Sequence, residues 1–257
     1  MVNKSLDNNI QIDVIYTDFE KAFDKVNHDI LINKLMKFGF SNNLTCFFRN
    51  CLRDRRQFVS YNSQRSKEYL TCSGVPQGSN LGPLLFLLFI NDINTAIVHS
   101  DYLLYADDLK IFKSIRSTSD SLSLQKDLDS LWKWSLENRL PFSIGKCHFL
   151  SFSRKLDPLR FSYNLGGNIL NKEKKTLDLG ILFSEKLDFN DHIINLSVRS
   201  SKMLGFVMRT ANQFTNSLAI RSLYDTLVRS ILEYGSIIWN PNTAKYSLLL
   251  EKIQKKS

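Results

Sequence analysis

The 257-residue sequence has little cysteine and no metal-binding pattern built on it. Its four cysteines, Cys46, Cys51, Cys72 and Cys147, are scattered, and no two of them form a Cys-x-x-Cys pair. The four histidines are not placed to complete a zinc site. This pattern argues against a zinc domain and favours free thiols in a reducing compartment.

Long apolar segments, repeats and low-complexity tracts are also missing. The longest apolar run, Leu84–Ile90, is far too short to span a bilayer, so it predicts a buried helix. Asn, Lys and Asp interrupt residues 3–9, which excludes a signal-peptide pattern there. We therefore expect a soluble, intracellular protein with no membrane partner. The 43% of hydrophobic residues suffice for one large domain, or for a domain with a smaller appendage.

Positive charge is in excess in the second half of the chain. Residues 1–110 contain 12 Lys/Arg and 12 Asp/Glu, whereas residues 111–257 contain 22 Lys/Arg and 13 Asp/Glu. The whole net charge of +9 therefore comes from the second half. A polyanionic partner would explain this asymmetry, and an ordinary solvated basic surface explains it equally well.

Apolar periodicity and turn residues predict an α+β domain over residues 1–184, followed by a helical domain over residues 185–257. Strands are predicted at residues 11–19, 57–61, 69–72, 102–105, 109–113, 147–153, 161–165 and 176–183. Helices are predicted at residues 26–38, 41–52, 84–93, 118–139, 190–212 and 216–234. The inward residues of two of these helices are expected to be Leu44, Phe47, Phe48 and Cys51 in one, and Leu122, Leu128, Leu131, Trp132 and Leu136 in the other.

Two adjacent carboxylates, Asp107 and Asp108, lie at the tip of the predicted 102–113 hairpin. Two neighbouring carboxylates repel each other unless a positive charge lies between them, and Mg²⁺ prefers such oxygen ligands. Two-metal phosphoryl transfer needs a further carboxylate from a separate element, and Asp18 ends the first predicted strand. The alternatives are an ordinary Asp-Asp hairpin turn and a helix-capping role for Asp18.

Several segments together resemble the motifs of reverse transcriptases, most closely those of non-LTR (LINE-like) retrotransposons. Residues 18–28 (DFEKAFDKVNH) resemble motif A, residues 74–86 (GVPQGSNLGPLLF) resemble motif B, and residues 105–108 (YADD) resemble motif C. Residues 140–152 resemble motif D. Residues 176–183 resemble the primer-grip region, and residues 227–241 resemble the end of the thumb. The resemblance extends from about residue 13 to residue 241. It implies a right-hand polymerase palm with partial fingers, an antiparallel sheet with packed helices, followed by an all-helical thumb.

The resemblance also implies an activity and its metal ligands. The activity is RNA-directed DNA polymerisation with two Mg²⁺ ions, or Mn²⁺ in their place, using an RNA template, a DNA primer and deoxynucleoside triphosphates. Asp18 and Asp107 would hold both metals with the backbone carbonyl of Phe19, and Asp108 would assist. Within this family, group II intron, diversity-generating and telomerase-type polymerases are alternatives to the LINE-like class.

The same resemblance suggests four nucleotide-binding residues. Phe23 would exclude ribonucleotides by steric clash with the sugar, although a core aromatic is the alternative. Gln77 and Gly78 would contact the incoming nucleotide, because glycine permits close backbone approach; a plain helix-entry loop is the alternative. Lys146 would protonate or neutralise the leaving pyrophosphate, and an ordinary surface lysine is the alternative.

Primer and duplex contacts are expected in the last third of the chain. Leu179 and Gly180 would position the primer, unless the 177–183 segment is simply a buried strand. The later helices would follow the template–primer duplex through its phosphates. The candidate residues are Lys202, Arg209, Arg221 and Arg229.

Only about a dozen residues precede the first predicted strand, so the fingers segment expected from the resemblance is missing. We therefore expect an N-terminally truncated fragment, with weak or no polymerisation by this chain alone. The alternatives are a non-catalytic nucleic-acid-binding remnant of a mobile element and a non-functional relic. The resemblance implies a nuclear location, although the sequence carries no targeting signal, and the oligomeric state stays open.

Overall fold

The computed structural model describes residues 2–211 and 216–255, and it has a mixed α+β fold. The chain forms two compact units, Met1–Glu173 and Lys174–Ser257. This division comes before the expected boundary after residue 184, so the segment 174–184 lies in the second unit. None of the helices in the described ranges is both long and apolar enough to cross a lipid bilayer.

The first unit contains five α-helices and two short 3₁₀ helices among its described residues. The α-helices are α1 Val2–Asp7, α2 His28–Lys37, α3 Asn42–Leu52, α4 Leu81–Ile90 and α5 Thr118–Glu137. The 3₁₀ helices are Asn91–Ala96 and Ile144–Lys146. Helix starts follow the expected capping chemistry, because Asn27 and Ser41 accept backbone N–H groups of α2 and α3 with their side chains.

The strands of the first unit form one large sheet and three small ladders. They are β1 Gln11–Thr17, β2 Arg56–Gln57, β3 Ser60–Tyr61, β4 Gln64–Arg65, β5 Tyr69–Leu70, β6 Asp101–Tyr105, β7 Asp108–Ile115, β8 His148–Phe152, β9 Asn164–Leu165, β10 Asn168–Ile169 and β11 Asn171–Glu173. The large sheet has the order β11-β8-β1-β7-β6. Its pairs are antiparallel except β11 with β8, so the sheet is mixed.

Strand β1 is the centre of the sheet and is buried on both faces. All of its residues except Tyr16 are buried. One face contributes Ile15 to a core that α2, α4 and α5 complete with Leu31, Phe86 and Leu128.

Helix α4 is apolar on nearly every side, but only one side of it is covered: Leu85 and Phe86 are buried, whereas Leu84 and Leu87 are exposed. The expected buried helix is therefore only half-buried.

The second unit consists of a hairpin and a set of helices. The hairpin pairs β12 Lys175–Asp178 with β13 Ile181–Ser184. The helices are α6 Asn190–Ala211, α7 Ser217–Tyr224, α8 Ser230–Glu233, α9 Ser236–Trp239 and α10 Ala244–Gln254, and a π-helical turn at Asp225–Arg229 joins α7 to α8. The expected end of the first helix at residue 212 lies outside the described residues.

Two predictions of helix orientation were wrong in part, since Phe48, Leu128 and Leu131 are buried as expected but their predicted partners are not. In α3 the buried residues are Thr45, Phe48 and Leu52, whereas Leu44, Phe47 and Cys51 are exposed. In α5 the residues Leu128 and Leu131 are buried as expected, but Leu122 and Leu136 are exposed and Trp132 is only half-buried. Both helices carry apolar residues on more than one side, so the apolar pattern alone did not identify the buried side.

The predicted single strand over 176–183 is a hairpin instead. Its two central residues, Leu179 and Gly180, both have positive φ values, of 45° and 82°. A two-residue turn with two positive φ angles matches the twist of an antiparallel pair. Leucine is an uncommon residue in that conformation, which explains why the sequence pattern did not indicate a turn.

A buried carboxylate in β1 is satisfied by hydrogen bonds. Asp13 is only 1% exposed. It accepts hydrogen bonds from Gln11 Nε2 at 2.8 Å and from the Tyr163 hydroxyl at 2.7 Å. Gln11 in turn bonds the backbone of Leu159 in both directions. Burial, followed by the charge of Asp13, raises the pKa of Tyr163, so the phenol stays protonated as a donor.

Replacing Tyr163 with Phe should lower the free energy of unfolding by about 1–3 kcal/mol, because a buried carboxylate oxygen loses its donor. The raised pKa of Tyr163 stabilises the native state below the unfolded-state value of about 10, and this contribution is lost at higher pH. The difference between wild type and Tyr163→Phe should therefore shrink above about pH 10. Urea unfolding at neutral and alkaline pH measures both effects, and equal stability at neutral pH would contradict them.

Candidate active site

Strand pairing brings the three predicted carboxylates to one end of the large sheet. Asp18 follows β1 directly, and the last pair between β1 and β7 is Thr17 with Leu109. Tyr105 pairs with Asp108 across the β6–β7 hairpin. Asp107 therefore lies in the two-residue turn, Asp108 begins β7, and Asp18 continues β1 alongside them. Asp18 and Asp107 are half-buried, whereas Asp108 is exposed.

The hairpin turn that carries Asp107 has an unusual backbone. Ala106 has a positive φ of 52°, a conformation that non-glycine residues rarely adopt. Such a conformation costs free energy and persists only where the surrounding structure imposes it. Here the antiparallel pairing of β6 with β7 imposes the tight turn, and this turn holds Asp107 next to the start of β7.

The backbone around Asp18 is fixed by the segment before β8. The Asp18 carbonyl accepts the Ser143 N–H at 2.7 Å, and Glu20 N–H donates to the Pro141 carbonyl at 2.9 Å. The Asp18 N–H also donates to the Cys147 Sγ at 3.5 Å. Burial raises the pKa of Cys147, so this thiol stays neutral beside the carboxylate. Three contacts thus position Asp18 independently of its side chain.

Lys146 is the charged partner of Asp18. Its Nζ lies 2.7 Å from Asp18 Oδ2. The hydrogen bond and charge of Asp18 raise the pKa of Lys146, and the charge of Asp107 adds to this effect. The Lys146 ammonium therefore interacts electrostatically with two of the three carboxylates. The short 3₁₀ helix Ile144–Lys146 places it there.

This arrangement fits a cation, although the carboxylates do not yet form a closed ligand cluster. In the part of the chain that the structure describes, no three His, Cys, Asp or Glu side chains are close enough to hold one ion together. The donors are carboxylate oxygens, which suit Mg²⁺, and the ammonium of Lys146 already supplies positive charge there. An ion held by Asp18 and Asp107 would have to displace the Lys146 ammonium from Asp18 or share the Asp18 carboxylate with it.

The Phe19 carbonyl is oriented away from its neighbouring strand segment. Phe19 and Phe142 face each other at a position where the flanking residues make the hydrogen bonds. Their rings stack at 4.5 Å between centroids, and Phe19 is buried. The buried ring therefore fixes the backbone at Phe19, and the Phe19 carbonyl makes no hydrogen bond to Phe142.

Phe23 is half-buried rather than wholly inside the core. Its ring stacks on the buried Phe86 ring of α4 at a centroid distance of 4.4 Å. The Phe23 carbonyl accepts the Val75 N–H at 2.8 Å. The aromatic ring is thus supported from below by the core, and part of it stays accessible.

The 73–78 loop is hydrogen-bonded to the turn after Asp18. Gln77 Nε2 donates to Asp24 Oδ1 at 2.9 Å, and Gly74 N–H donates to the Val26 carbonyl at 2.8 Å. Gly74 approaches Asp24 so closely that a Cβ atom would lie 2.7 Å from its carbonyl oxygen. Gly78 has a φ of +78° and open space beside it. The loop therefore presents Gln77 and Gly78 on an exposed surface.

The contact of Asp24 with Gln77 was not predicted. No sequence signal predicts this pair, because the two residues are far apart in the chain and each is common in loops. The contact of Ser143 with Asp18 is equally absent from the sequence pattern, since it uses only backbone atoms.

The remaining candidates lie in the second unit. Leu179 and Gly180 form the tip of the β12–β13 hairpin, and the Tyr234 hydroxyl donates to the Leu179 carbonyl at 2.9 Å. Lys202 and Arg209 are exposed on α6. Arg221 and Arg229 are also exposed, but both pair with Asp225, at 3.7 Å each.

Arg229 has a second carboxylate partner. Its Nε lies 2.6 Å from Glu233 Oε1, and the hydrogen bond and charge of Glu233 raise the pKa of Arg229. These internal partners partly neutralise Arg221 and Arg229 as phosphate ligands.

Substituting Lys146 with Met should tighten Mn²⁺ binding by roughly tenfold, because the change removes a positive charge that repels the divalent ion at Asp18. Isothermal titration of the purified chain with Mn²⁺ measures this change. The matched control is Lys133→Met, which removes an exposed lysine of α5 and should leave the affinity unchanged. Equal affinities for wild type and Lys146→Met would contradict the assignment of Lys146 as the cation in this site.

Comparisons with known proteins identify the family of this chain. A family model for reverse transcriptase (RNA-dependent DNA polymerase) matches residues 5–208. The probable RNA-directed DNA polymerase from transposon BS of Drosophila melanogaster is 29% identical over 250 residues, covering 92% of this chain. The RNA-directed DNA polymerase from mobile element jockey of the same species is 29% identical over 189 residues, covering 70% of this chain. The resemblance to non-LTR retrotransposon enzymes is thereby confirmed.

A solved structure shares the fold. Telomerase from Candida tropicalis, in complex with the TWJ fragment of telomeric RNA, has a TM-score of 0.50 and 14% sequence identity. The alignment covers 100% of this chain and 41% of that one. The chain spans 27% of the transposon BS relative and 20% of the jockey relative. Because the family model covers most of its length, the chain belongs to the reverse transcriptase family.

Proposed function

We propose that this chain carries the palm of an RNA-directed DNA polymerase that uses two-metal nucleotidyl transfer. The observation that supports this proposal most strongly is the β1–β7 register, which brings Asp18 beside the Asp107–Asp108 turn. Carboxylates from two separate strands converge at one sheet end, which is what such chemistry requires. Family membership and the names of the relatives favour the same activity.

Each carboxylate has a proposed role. Asp18 and Asp107 would hold both metals, with the Phe19 carbonyl as a further ligand and Asp108 in support. Two Mg²⁺ ions, when bound, supply positive charge to the attacking primer 3′-oxygen and to the leaving pyrophosphate oxygen. Mn²⁺ meets the same oxygen-ligand requirement. The backbone contacts of Asp18 keep its carboxylate in place without depending on the ion.

Lys146 acts on the leaving group in this proposal. Its ammonium is held at Asp18 with a raised pKa, so it is fully protonated at neutral pH. A protonated lysine beside the metal ligands is able to donate a proton to the leaving pyrophosphate or to neutralise its charge. The contact with Asp18 holds the Lys146 ammonium close to the place where the phosphates would bind.

Phe23 and the Gln77–Gly78 loop form the proposed nucleotide platform. The hydrogen bonds from the 73–78 loop to the turn after Asp18 hold both parts in one arrangement. The Phe86 ring stacks against the half-buried Phe23 ring and prevents it from moving into the core. A ring held in this way excludes a ribose 2′-hydroxyl by steric clash and accepts a deoxyribose.

The second unit is proposed to consist of a primer-positioning hairpin followed by the helices of the thumb. Leu179 and Gly180 at the hairpin tip would contact the primer end. The exposed cations of the helices, Lys202 and Arg209 together with the paired Arg221 and Arg229, would contact phosphates of the template–primer duplex. The proposed partners are therefore an RNA template, a DNA primer and deoxynucleoside triphosphates.

Asp107→Asn should reduce deoxythymidine incorporation on a primed poly-adenylate template by at least about a hundredfold, since losing one charge-stabilising group costs about 10²–10³ in comparable sites. Primer extension with Mg²⁺ measures this, using the chain joined to the N-terminal part of a relative's polymerase. Asp101→Asn is the matched control, because Asp101 lies at the opposite end of the same hairpin. Unchanged incorporation by Asp107→Asn would contradict the metal assignment.

Phe23→Ala should raise ribonucleotide incorporation relative to deoxyribonucleotide incorporation by about tenfold or more, because the clash with the 2′-hydroxyl is removed. Phe23→Tyr keeps the ring and should keep the discrimination. Parallel primer extension with each nucleotide type gives the ratio. A wild-type ratio in Phe23→Ala would indicate that Phe23 is only a packing residue.

A further inference from the structure

A tyrosine from the helical part of the second unit is attached to the tip of the β12–β13 hairpin. The Tyr234 hydroxyl donates a hydrogen bond to the Leu179 carbonyl at 2.9 Å. Leu179 and Gly180 form the two-residue turn beyond the last strand pair, Asp178 with Ile181. The strand ladder supplies no donor to the Leu179 carbonyl at this tip, so Tyr234 satisfies a backbone group that the hairpin itself leaves open.

The aromatic ring of Tyr234 covers the same turn. A Cβ atom added at Gly180 would lie 3.1 Å from Cε1 of that ring, so glycine leaves the space that the ring occupies. Tyr234 is nevertheless 57% exposed. Burial does not force its hydroxyl to find a protein partner, because an exposed phenol can bond to water. The ring and the hydroxyl of Tyr234 are therefore both placed against the turn without being part of the core.

The backbone around Tyr234 is fixed by the core of this unit. Gly235, with a φ of 65°, ends helix α8, and a Cβ atom added there would lie 2.7 Å from Cδ1 of Ile181, the first residue of β13. The Tyr234 carbonyl accepts the Trp239 Nε1–H at 2.8 Å. Trp239 and Ile181 are buried in one cluster with Ile193. The core thus determines where Tyr234 lies, and Tyr234 transmits that position to the turn.

The turn is the part of the hairpin that most needs an external contact. Leu179 has a φ of 45°, a conformation that is strained for leucine and persists only where the surroundings impose it. Strand β13 has its own attachment to α6, since the Leu182 N–H donates to His192 Nδ1 at 3.2 Å. Loss of the Tyr234 hydroxyl should therefore loosen the turn and leave the strands paired.

We propose that Tyr234 is a positioning residue for the primer end. Its hydroxyl and ring hold the Leu179–Gly180 turn in one conformation, and the turn holds the primer 3′-hydroxyl in line with the α-phosphorus of the nucleotide. The inference rests on the proposed primer contact of this hairpin. Affinity for the duplex comes mainly from phosphate contacts elsewhere on the protein. Tyr234 therefore affects the rate of nucleotide addition and not the binding of the primer–template.

The first measurement does not involve activity. Hydrogen exchange at residues 178–181 of the purified chain should be about fivefold faster in Tyr234→Phe, which loses one neutral hydrogen bond and keeps the ring. Tyr224→Phe is the matched control, because Tyr224 ends α7 and packs on the cluster around Leu204. Unchanged exchange at the turn in Tyr234→Phe would overturn the inference, whether or not the chain polymerises DNA.

The second measurement is primer extension by the chain joined to the N-terminal part of a relative's polymerase. Tyr234→Phe should lower kcat for addition of one nucleotide by about tenfold, with the Kd of the primer–template unchanged, because a small displacement of the reacting groups slows the reaction strongly. Tyr234→Ala also removes the ring and should lower kcat by about a hundredfold. Tyr224→Phe should retain both values. Thermal unfolding should show a Tm for Tyr234→Phe within about 4 °C of wild type.

Three results would overturn the inference. A loss of duplex affinity as large as the loss of rate would mean that Tyr234 only stabilises the helices of this unit. Wild-type kcat in Tyr234→Phe, together with faster exchange at the turn, would show that the turn does not position the primer, and the proposed polymerase function would stand. Absence of extension by the unsubstituted fused chain would contradict the proposed function itself, and the inference with it.

Discussion

The antiparallel pairing of β1 with β7 is the interaction on which the rest of the first unit depends. It places the central strand of the sheet between two neighbours and fixes which residues end that strand together. A slip of one residue would turn Ile15 to the opposite face of the sheet and move Asp18 away from Asp107. Because β1 is buried on both faces, such a slip is costly, so the packing of the core also determines the geometry of the carboxylates.

The position of the 73–78 loop also depends on β1. The turn that follows Asp18 carries Phe23 and Asp24, and the 73–78 loop is hydrogen-bonded to that turn through Gln77 and Val75. The carboxylates, the aromatic ring and the glutamine are thus positioned from one strand end. The proposed function requires metal ligands and a nucleotide platform in fixed relation, and these backbone and side-chain hydrogen bonds support such a relation.

Much of this site could be predicted from the sequence, because its chemistry is carried by short motifs. The strand ending at Asp18 and the hairpin around Asp107 were predicted from β-branched residues and apolar runs, and both were confirmed. The contact of Lys146 with Asp18 was not, since it needs the tertiary position of a 3₁₀ turn. The prediction of the buried side failed for helices with apolar residues on several sides. The turn at Leu179 was not predicted, because leucine rarely adopts a positive φ.

The central claim is that Asp18 and Asp107 belong to one cation site although they come from different strands. A double-mutant cycle on Mn²⁺ affinity, with Asp18→Asn, Asp107→Asn and the double variant, tests it most directly. If both carboxylates hold the same ion, the double variant should lose little more affinity than either single variant, with a coupling of at least about 1 kcal/mol. Strictly additive losses would mean that the two carboxylates act at separate places, and the shared site would be wrong.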